Sequence, residues 1–418
     1  MRFQAPRGTE DCLPGQSEKW TWLESEFRAL TRLYGYKEIR TPTFEDTDLF
    51  VRSSGETSDI VSKQMYSFKD KGDRDITLKP EGTAPAIRAM IEHNLYQQGA
   101  TTRLSYVTPI YRYERPQKGR LRESHQVGLE LIGSSSPEAD AEIIETTVRF
   151  YERIGIDEVE VSLNSIGRDE CREKYRAAIL QHMSGYLASQ DDGVRARAEK
   201  NPLRMLDSKD GAIQEALKGL PPITDFLEDE SKVRLTEVQR LLTNAGVKYR
   251  IAPEIVRGLD YYTEIVFEVQ STRLGAQSAL CGGGRYDNLI KELGGPAAPA
   301  VGVAMGVERA LIVLEAMACG PDPEKPDAYV VQATPSAKEA VQQLVRSLRK
   351  EGFAALTDYD GKSMKSQLKA ADREGVRFAL IIGDDELAKG VVTMRSLANS
   401  EQREVAMSDV IDELRGTK

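Results

Sequence analysis

Within the segment YRYERPQKGRLRESHQVGLE, from Tyr111 to Glu130, the stretch Arg112 to Arg122 sets Arg112, Arg115, Lys118, Arg120 and Arg122 against the single acid Glu114. Arginine forks are the side chains that grip phosphate bidentately. Gln126, Gly128 and Glu130 follow at two-residue spacing, which puts them on one face of a strand. Glu130 lies inside the apolar run VGLELIG. An unpaired carboxylate there would be costly, so the reading of the hairpin as a merely solvated charged loop is disfavoured. In IVRGLDYYTEIVFE, Arg257 and the pair Tyr261–Tyr262 stand at the mouth of a β-branched run. VGVAMGVERALIVLE is a glycine-punctuated strand entering a helix, with Glu308 and Arg309 at the junction, where a helix N-terminus favours anions. LKPEGTAPAIR places Glu81 and Thr83 just before a helix, as a capping turn would, and CGGGRYD supplies three glycines that let a flat ligand approach the backbone. No nucleophile–base pair and no GxxxxGK[ST] loop accompanies them. The inventory suits a reaction driven by positioning and charge stabilisation.

The elements that must carry these groups follow from periodicity. PGQSEKWTWLESEFRALTRLYGY has Trp20, Leu23, Phe27, Leu30 and Leu33 at helical spacing and stops at Gly35. YKEIRTPTFE reads as a strand interrupted by Pro42. LSYVTPIYRYE and VGLELIG read as a hairpin with a long basic loop, and SPEADAEIIETTVRFYERIG as a helix with Pro137 in its first turn. From about residue 168 to residue 248 the chain turns charged and helical, as an insertion would. After the linker GPDPEKPDAYV, strands and helices alternate as in a small α/β domain, ending in a last helix. Within it, GKSMKSQLKAADR puts Lys362, Lys365 and Lys369 on one expected helical face.

The bulk numbers exclude much else. At 418 residues and 40% hydrophobic content the chain is long enough for two or three cored domains. No run approaches the ~18 apolar residues of a membrane span, so a cytoplasmic protein without a membrane partner is expected. The four cysteines are far apart and histidines number three, which argues against zinc ribbons, disulfide frameworks and imidazole metal sites. A net charge of −9 disfavours indiscriminate binding of polyanions and leaves local basic patches as the means of gripping one.

Taken in order, GYKEIRTPTFE, YRYERPQKGRLRESHQVGLE and AVGVAMGVERALIVLE resemble the three signature motifs of class II aminoacyl-tRNA synthetases. IVRGLDYYTEIVFE, LKPEGTAPAIR and CGGGRYDNLI resemble the signatures peculiar to the histidyl-tRNA synthetase family, and the likeness spans essentially the whole chain. The resemblance implies an α+β fold with an antiparallel sheet flanked by helices. Residues 1–322 would form the catalytic domain, with a helical insertion at about 168–250, and residues 327–418 an α/β anticodon-binding domain. It implies a homodimer with an interface around Pro42, and activation of L-histidine by ATP with Mg²⁺ before transfer to the 3′ end of tRNA(His). By the same resemblance Arg257 and Arg112 are catalytic. Glu81, Thr83, Gln126, Glu130, Tyr261 and Tyr262 would hold histidine, with Glu130 and Tyr262 on its ring. Arg112, Arg120, Arg309 and Glu81 would hold ATP, and Arg115, Gln117, Lys118 and Arg122 would meet tRNA. No residue is assigned to the metal. Lys79 departs from the arginine usual in the family's R-P-E-G-T, keeping the charge and losing the planar fork. The rival reading is a synthetase-like regulatory subunit of ATP phosphoribosyltransferase, which is expected to lack the intact histidine signature and the anticodon-binding domain.

Overall fold

The computed structural model describes residues 3–417 except 56–57, 118, 207, 209, 257–258 and 275–278, and except the side chain of Arg197. The chain divides into two compact units, Met1–Pro321 and Asp322–Lys418.

The first unit is built on an eight-stranded sheet in the order β1-β5-β6-β11-β10-β9-β7-β8. Its strands are β1 (Lys37–Glu38), β5 (Thr102–Tyr111), β6 (Glu123–Ile132), β7 (Glu160–Ser165), β8 (Tyr249–Ile251), β9 (Thr263–Gln270), β10 (Ala279–Arg285) and β11 (Ala300–Gly306). The pairs β1–β5 and β7–β8 are parallel and the others antiparallel. A small sheet, β2-β4-β3, comprises β2 (Phe44–Asp46), β3 (Tyr66–Lys69) and β4 (Asp75–Leu78). The segment expected as one strand around Pro42 is therefore two short ones in different sheets. Proline has no N–H for a ladder, and the chain changes sheets there.

One face of the large sheet is sealed. Val127, Leu129 and Leu131 on β6 and Val301, Val303 and Met305 on β11 are buried beneath the helices Pro137–Arg153 and Val307–Ala316. The former begins as its sequence predicts: Ser136 Oγ accepts the Glu138 N–H at 3.3 Å, Pro137 opens the first turn, and the chain leaves past Gly155 at φ +86°. Between β7 and β8 the chain is helical among its described residues, from Asp169–His182 to Asp229–Asn244.

The second unit has the sheet order β13-β12-β14-β15-β16, with β12 (Ala328–Gln332), β13 (Ala355–Thr357) and β14 (Phe378–Ile382) parallel. The antiparallel β15 (Val391–Ser396) and β16 (Gln402–Ala406) complete it. Helices Lys338–Lys350 and Met364–Arg373 cover opposite faces. Sequence periodicity misses helix Asp384–Lys389 and strand β16; in the latter only Val405 is buried, so no alternation marks it. Lys362 precedes the helix rather than lying on it, because Ser363 is the N-cap. Among the described residues, no helix is long and apolar enough to cross a membrane.

Candidate active site

The other face of the large sheet is paved with small residues. Register places Gly128 opposite Ala304 and Glu130 opposite Gly302, with Gly284 next along the same row and Gly306 opposite Gln126. Residues in register project to the same side, so three adjacent strands leave a hollow over their middle. Large side chains occupy the vacated space. A Cβ at Gly128 or Gly82 would overlap the Tyr106 ring, and one at Gly302 would overlap the Glu130 carboxylate.

Glu130 sits at the bottom of this hollow, fully buried. Its Oε1 accepts the Tyr106 hydroxyl at 3.1 Å and its Oε2 accepts the Tyr286 hydroxyl. Burial, and next Glu130 itself, push both phenols well above their ordinary value, so both act as donors. Burial likewise pushes the Glu130 carboxyl up to about 8, against the pull of its hydroxyl partners. Tyr261 lies 4.7 Å from Tyr262 and 5.6 Å from Tyr286 between ring centroids, so three tyrosines wall one side.

Glu81 caps the helix Thr83–Glu92: it accepts the Thr83 N–H at 2.6 Å and the Ala84 N–H at 2.8 Å. Burial raises its carboxyl, opposed by those two amides and by Arg112. Thr83 Oγ1 lies 3.5 Å from the Tyr106 hydroxyl, which links this turn to Glu130. Gln126, on the Glu130 face, has a buried Oε1 with no protein partner. Arg112 donates its Nε to the Pro80 carbonyl at 2.7 Å, which sets the direction of its guanidinium.

Lys79 is not in the hollow. It is 1% exposed, and its Nζ donates to the Thr41 carbonyl at 3.1 Å and the Thr41 hydroxyl at 3.3 Å. Burial pushes its ammonium down to about 8, with Glu45 opposing. Its own N–H bonds Thr43 O at 3.0 Å, so the turn bearing Glu81 is fastened to the strand break at Pro42.

In the hairpin loop, Arg115 and Gln117 are exposed, and Gln117 pairs with Arg120 across the tip. Arg120 lies 3.6 Å from Glu114. Arg122 is placed differently from a free phosphate contact: its guanidinium stacks 3.9 Å over the Tyr113 ring and its backbone N–H bonds Gly8 O at 2.7 Å. The tip rests on the helix after β11; a Cβ at Gly119 would stand 3.2 Å from Ile312 and 3.6 Å from Arg309. Arg309 donates to the Ala279 carbonyl. Burial, then the nearby Arg120 cation, lowers its affinity for its proton. Arg257 and Lys118 lie outside the described residues. The glycines of CGGGRYD belong to β10, not to a loop.

The site thus has a buried carboxylate at its floor, Arg112 set on a backbone carbonyl, and Arg309 in the first turn of a helix. The histidyl-tRNA synthetase family model matches residues 8–310, and the anticodon binding domain model matches residues 327–417. The chain belongs to the histidyl-tRNA synthetase family. It is 44% identical over 415 residues to a histidine–tRNA ligase of Halothermothrix orenii, covering 99% of both chains. The apo S. aureus histidyl-tRNA synthetase structure superposes with a TM-score of 0.84 at 34% identity, covering 99% of this chain and 100% of that one. A Bacillus halodurans structure titled as an ATP phosphoribosyltransferase regulatory subunit/histidyl-tRNA synthetase has a TM-score of 0.63 at 24% identity, covering 88% and 96%, a likeness of fold alone.

Within this family architecture, sequence reasoning missed Tyr106 and Tyr286. Tyr106 is even-numbered with Thr108 and Ile110 on β5 and so projects to the Glu130 face. Pairing register, which a single sequence does not print, was the missing signal. It also missed the second role of Glu308. Both its oxygens accept the His125 N–H, at 2.8 and 3.0 Å, and Oε1 lies 3.1 Å from His125 Nδ1. That prolongs the β6–β11 ladder beyond Gly306 and holds Gln126 beside the helix that carries Arg309.

Proposed function

We propose a residue-by-residue division of labour for this histidine–tRNA ligase, carried by one observation: a buried carboxylate, held by two phenols, floors a glycine-paved hollow. Neutral imidazole has one donor and one acceptor nitrogen. Glu130 receives the ring N–H, and the Tyr262 hydroxyl faces the other nitrogen. Glu81, Thr83 and Gln126 take the α-amino group; the unpartnered Gln126 oxygen and the Glu81 carboxylate suit an ammonium. The histidine carboxylate attacks the α-phosphorus of ATP. A carboxyl O–P bond forms, the bond to the β-phosphate oxygen breaks, and pyrophosphate leaves with the electron pair. Arg112 and Arg257 stabilise charge at the α-phosphate, while Arg120 and Arg309 hold the outer phosphates. Mg²⁺ enters with ATP as part of the substrate. The terminal ribose hydroxyl of tRNA(His) then takes the acyl group and AMP departs.

Residues 1–322 serve as the catalytic domain, with the 168–250 insertion, and 327–418 as the anticodon domain. There Tyr359 is 74% exposed beside Lys362, Lys369 and Arg373 at the edge of β13, a platform for an unstacked base. The exposed Phe44 and Phe68 on the small sheet suit a homodimer contact next to Pro42, and the enzyme works in the cytoplasm. The regulatory-subunit reading is less supported, since relatives covering the full length at 44% identity are named ligases.

The test is exchange of labelled pyrophosphate into ATP with each amino acid offered separately. Histidine alone should support it, and exchange with another amino acid alone would overturn the proposal. Arg257→Ala should lower the exchange rate constant by ~10² with histidine affinity nearly unchanged, as loss of a transition-state donor does. Arg115→Ala with Gln117→Ala should leave exchange intact and raise KM for tRNA by roughly tenfold, with a shallower salt dependence. A change in exchange instead would place the loop tip on ATP.

A further inference from the structure

Tyr286 reaches Glu130 from a turn that is clamped on both sides by charge. Arg285, the last residue of β10, is fully buried, and its Nε donates to Oδ1 of the equally buried Asp140 at 2.8 Å. The same guanidinium donates through Nη1 to the Ser134 carbonyl at 2.9 Å and to Asp287 Oδ1 at 3.1 Å. Asp287 also accepts the Ala300 N–H at 3.2 Å, which ties the turn to β11. The second oxygen of Asp140 accepts Arg234 Nη1 at 2.8 Å, and Arg234 belongs to Asp229–Asn244, the last helix of the insertion.

Such a network is a poor choice for stability alone. Desolvating the charges offsets most of their attraction, and apolar residues of similar volume commonly stabilise as well or better. What a rigid guanidinium fork supplies is direction, because its donors fix several acceptors in one plane. Direction matters at Tyr286. A carboxylate offers about four lone-pair sites, and two are taken by Tyr106 and Tyr286. The sites left for an imidazole are defined only while both phenols stay where they are, and recognition sites tolerate only ~0.5 Å of looseness.

We infer that the Arg285–Asp140 pair is a positioning device for histidine recognition: it fixes residues 285–287, thereby aims the Tyr286 hydroxyl at Glu130, and through Arg234 fastens the insertion helix to the same anchor. This rests on the reading of Glu130 as the receptor of the ring.

The full-length double variant Asp140→Leu/Arg285→Met tests it, in histidine-dependent pyrophosphate exchange and thermal unfolding. The apolar pair should keep a cooperative melt near the parent's, raise KM for histidine ~10-fold or more, and leave KM for ATP within about twofold. Arg285→Lys should fall between the two. A folded double variant with parental KM for histidine overturns the inference, as does a loss confined to kcat or shared equally with ATP, which marks a purely structural role. If the double variant fails to fold, Arg234→Met carries the test: a rise of roughly threefold in KM for histidine alone is expected, and no rise overturns the inference. Glu130→Gln, assayed in parallel, separates the two failures. If it binds histidine normally the pocket reading falls; if it is defective while the network variants are normal, only the positioning inference falls.

Discussion

Replacing Glu130 by glutamine is expected to raise KM for histidine by ~10³ while KM for ATP stays within about twofold. The substitution keeps the shape and replaces one of the two acceptor oxygens that the Tyr106 and Tyr286 hydroxyls hold in place. The amide also brings a donor where a ring N–H needs an acceptor. Proton linkage gives the same experiment a second readout. In the folded protein the Glu130 carboxyl is pushed up to about 8, against about 4.3 in an unfolded chain. The folded state therefore takes up the proton more readily. The stability linked to that proton is fully present below about pH 4 and is lost as the pH rises through about 8. Glutamine does not titrate, so at pH 9 the ligand-free variant should melt ~2 °C or more above the parent, with the gap closing near pH 5. The parent must also expel a proton from Glu130 to bind the ring, so its KM for histidine should fall from pH 7 to 9. A variant with the same slope would show that another group sets it.

Arg112→Ala is expected to lower the rate constant for adenylate formation by ~10³, measured in a single turnover with histidine and ATP saturating. Two anions, a carboxylate and the α-phosphate, must meet in this step. On the proposed reading Arg112 serves this step, and its Nε bond to the Pro80 carbonyl, one residue before the Glu81 cap, fixes its direction. The loss should appear in kcat far more than in histidine binding, because the side chain acts on charge that grows at the phosphorus. Arg112→Lys should restore little, since a point charge lacks both the bond to Pro80 and the fork. A variant that merely raised KM for ATP at full kcat would place Arg112 in ground-state binding.

The sequence was most legible where chemistry and periodicity coincide. Gln126, Gly128 and Glu130 at two-residue spacing predicted a shared face, and that face is the floor of the hollow. The helix after Ser136 and the strand-to-helix junction at Gly306 announced themselves by a cap, a proline and glycine spacing. What escaped was fixed by long-range pairing. Tyr106 and Tyr286 are ordinary strand and turn residues in sequence, and only register brings their hydroxyls to Glu130 from 24 and 156 residues away. Lys79 reads as a neighbour of Glu81, yet its ammonium points to Thr41, across a break between two sheets that a proline alone did not reveal. Arg122 counted as one more basic residue of the loop; the ring beneath it, Tyr113, gives it an internal contact.

The glycine paving under Glu130 reverses the usual vulnerability of a protein interior. A hydrophobic core is damaged mainly when atoms are removed, since a cavity is left behind. Here the space over the glycines is already taken by the Tyr106 ring and the Glu130 carboxylate, and every replacement of glycine adds at least one carbon. Drift at Gly128 or Gly302 can therefore move only toward crowding, against the Tyr106 ring or the carboxylate itself. Heritable widening of what this hollow admits has to arise elsewhere than at its glycines, because these have no smaller residue to offer.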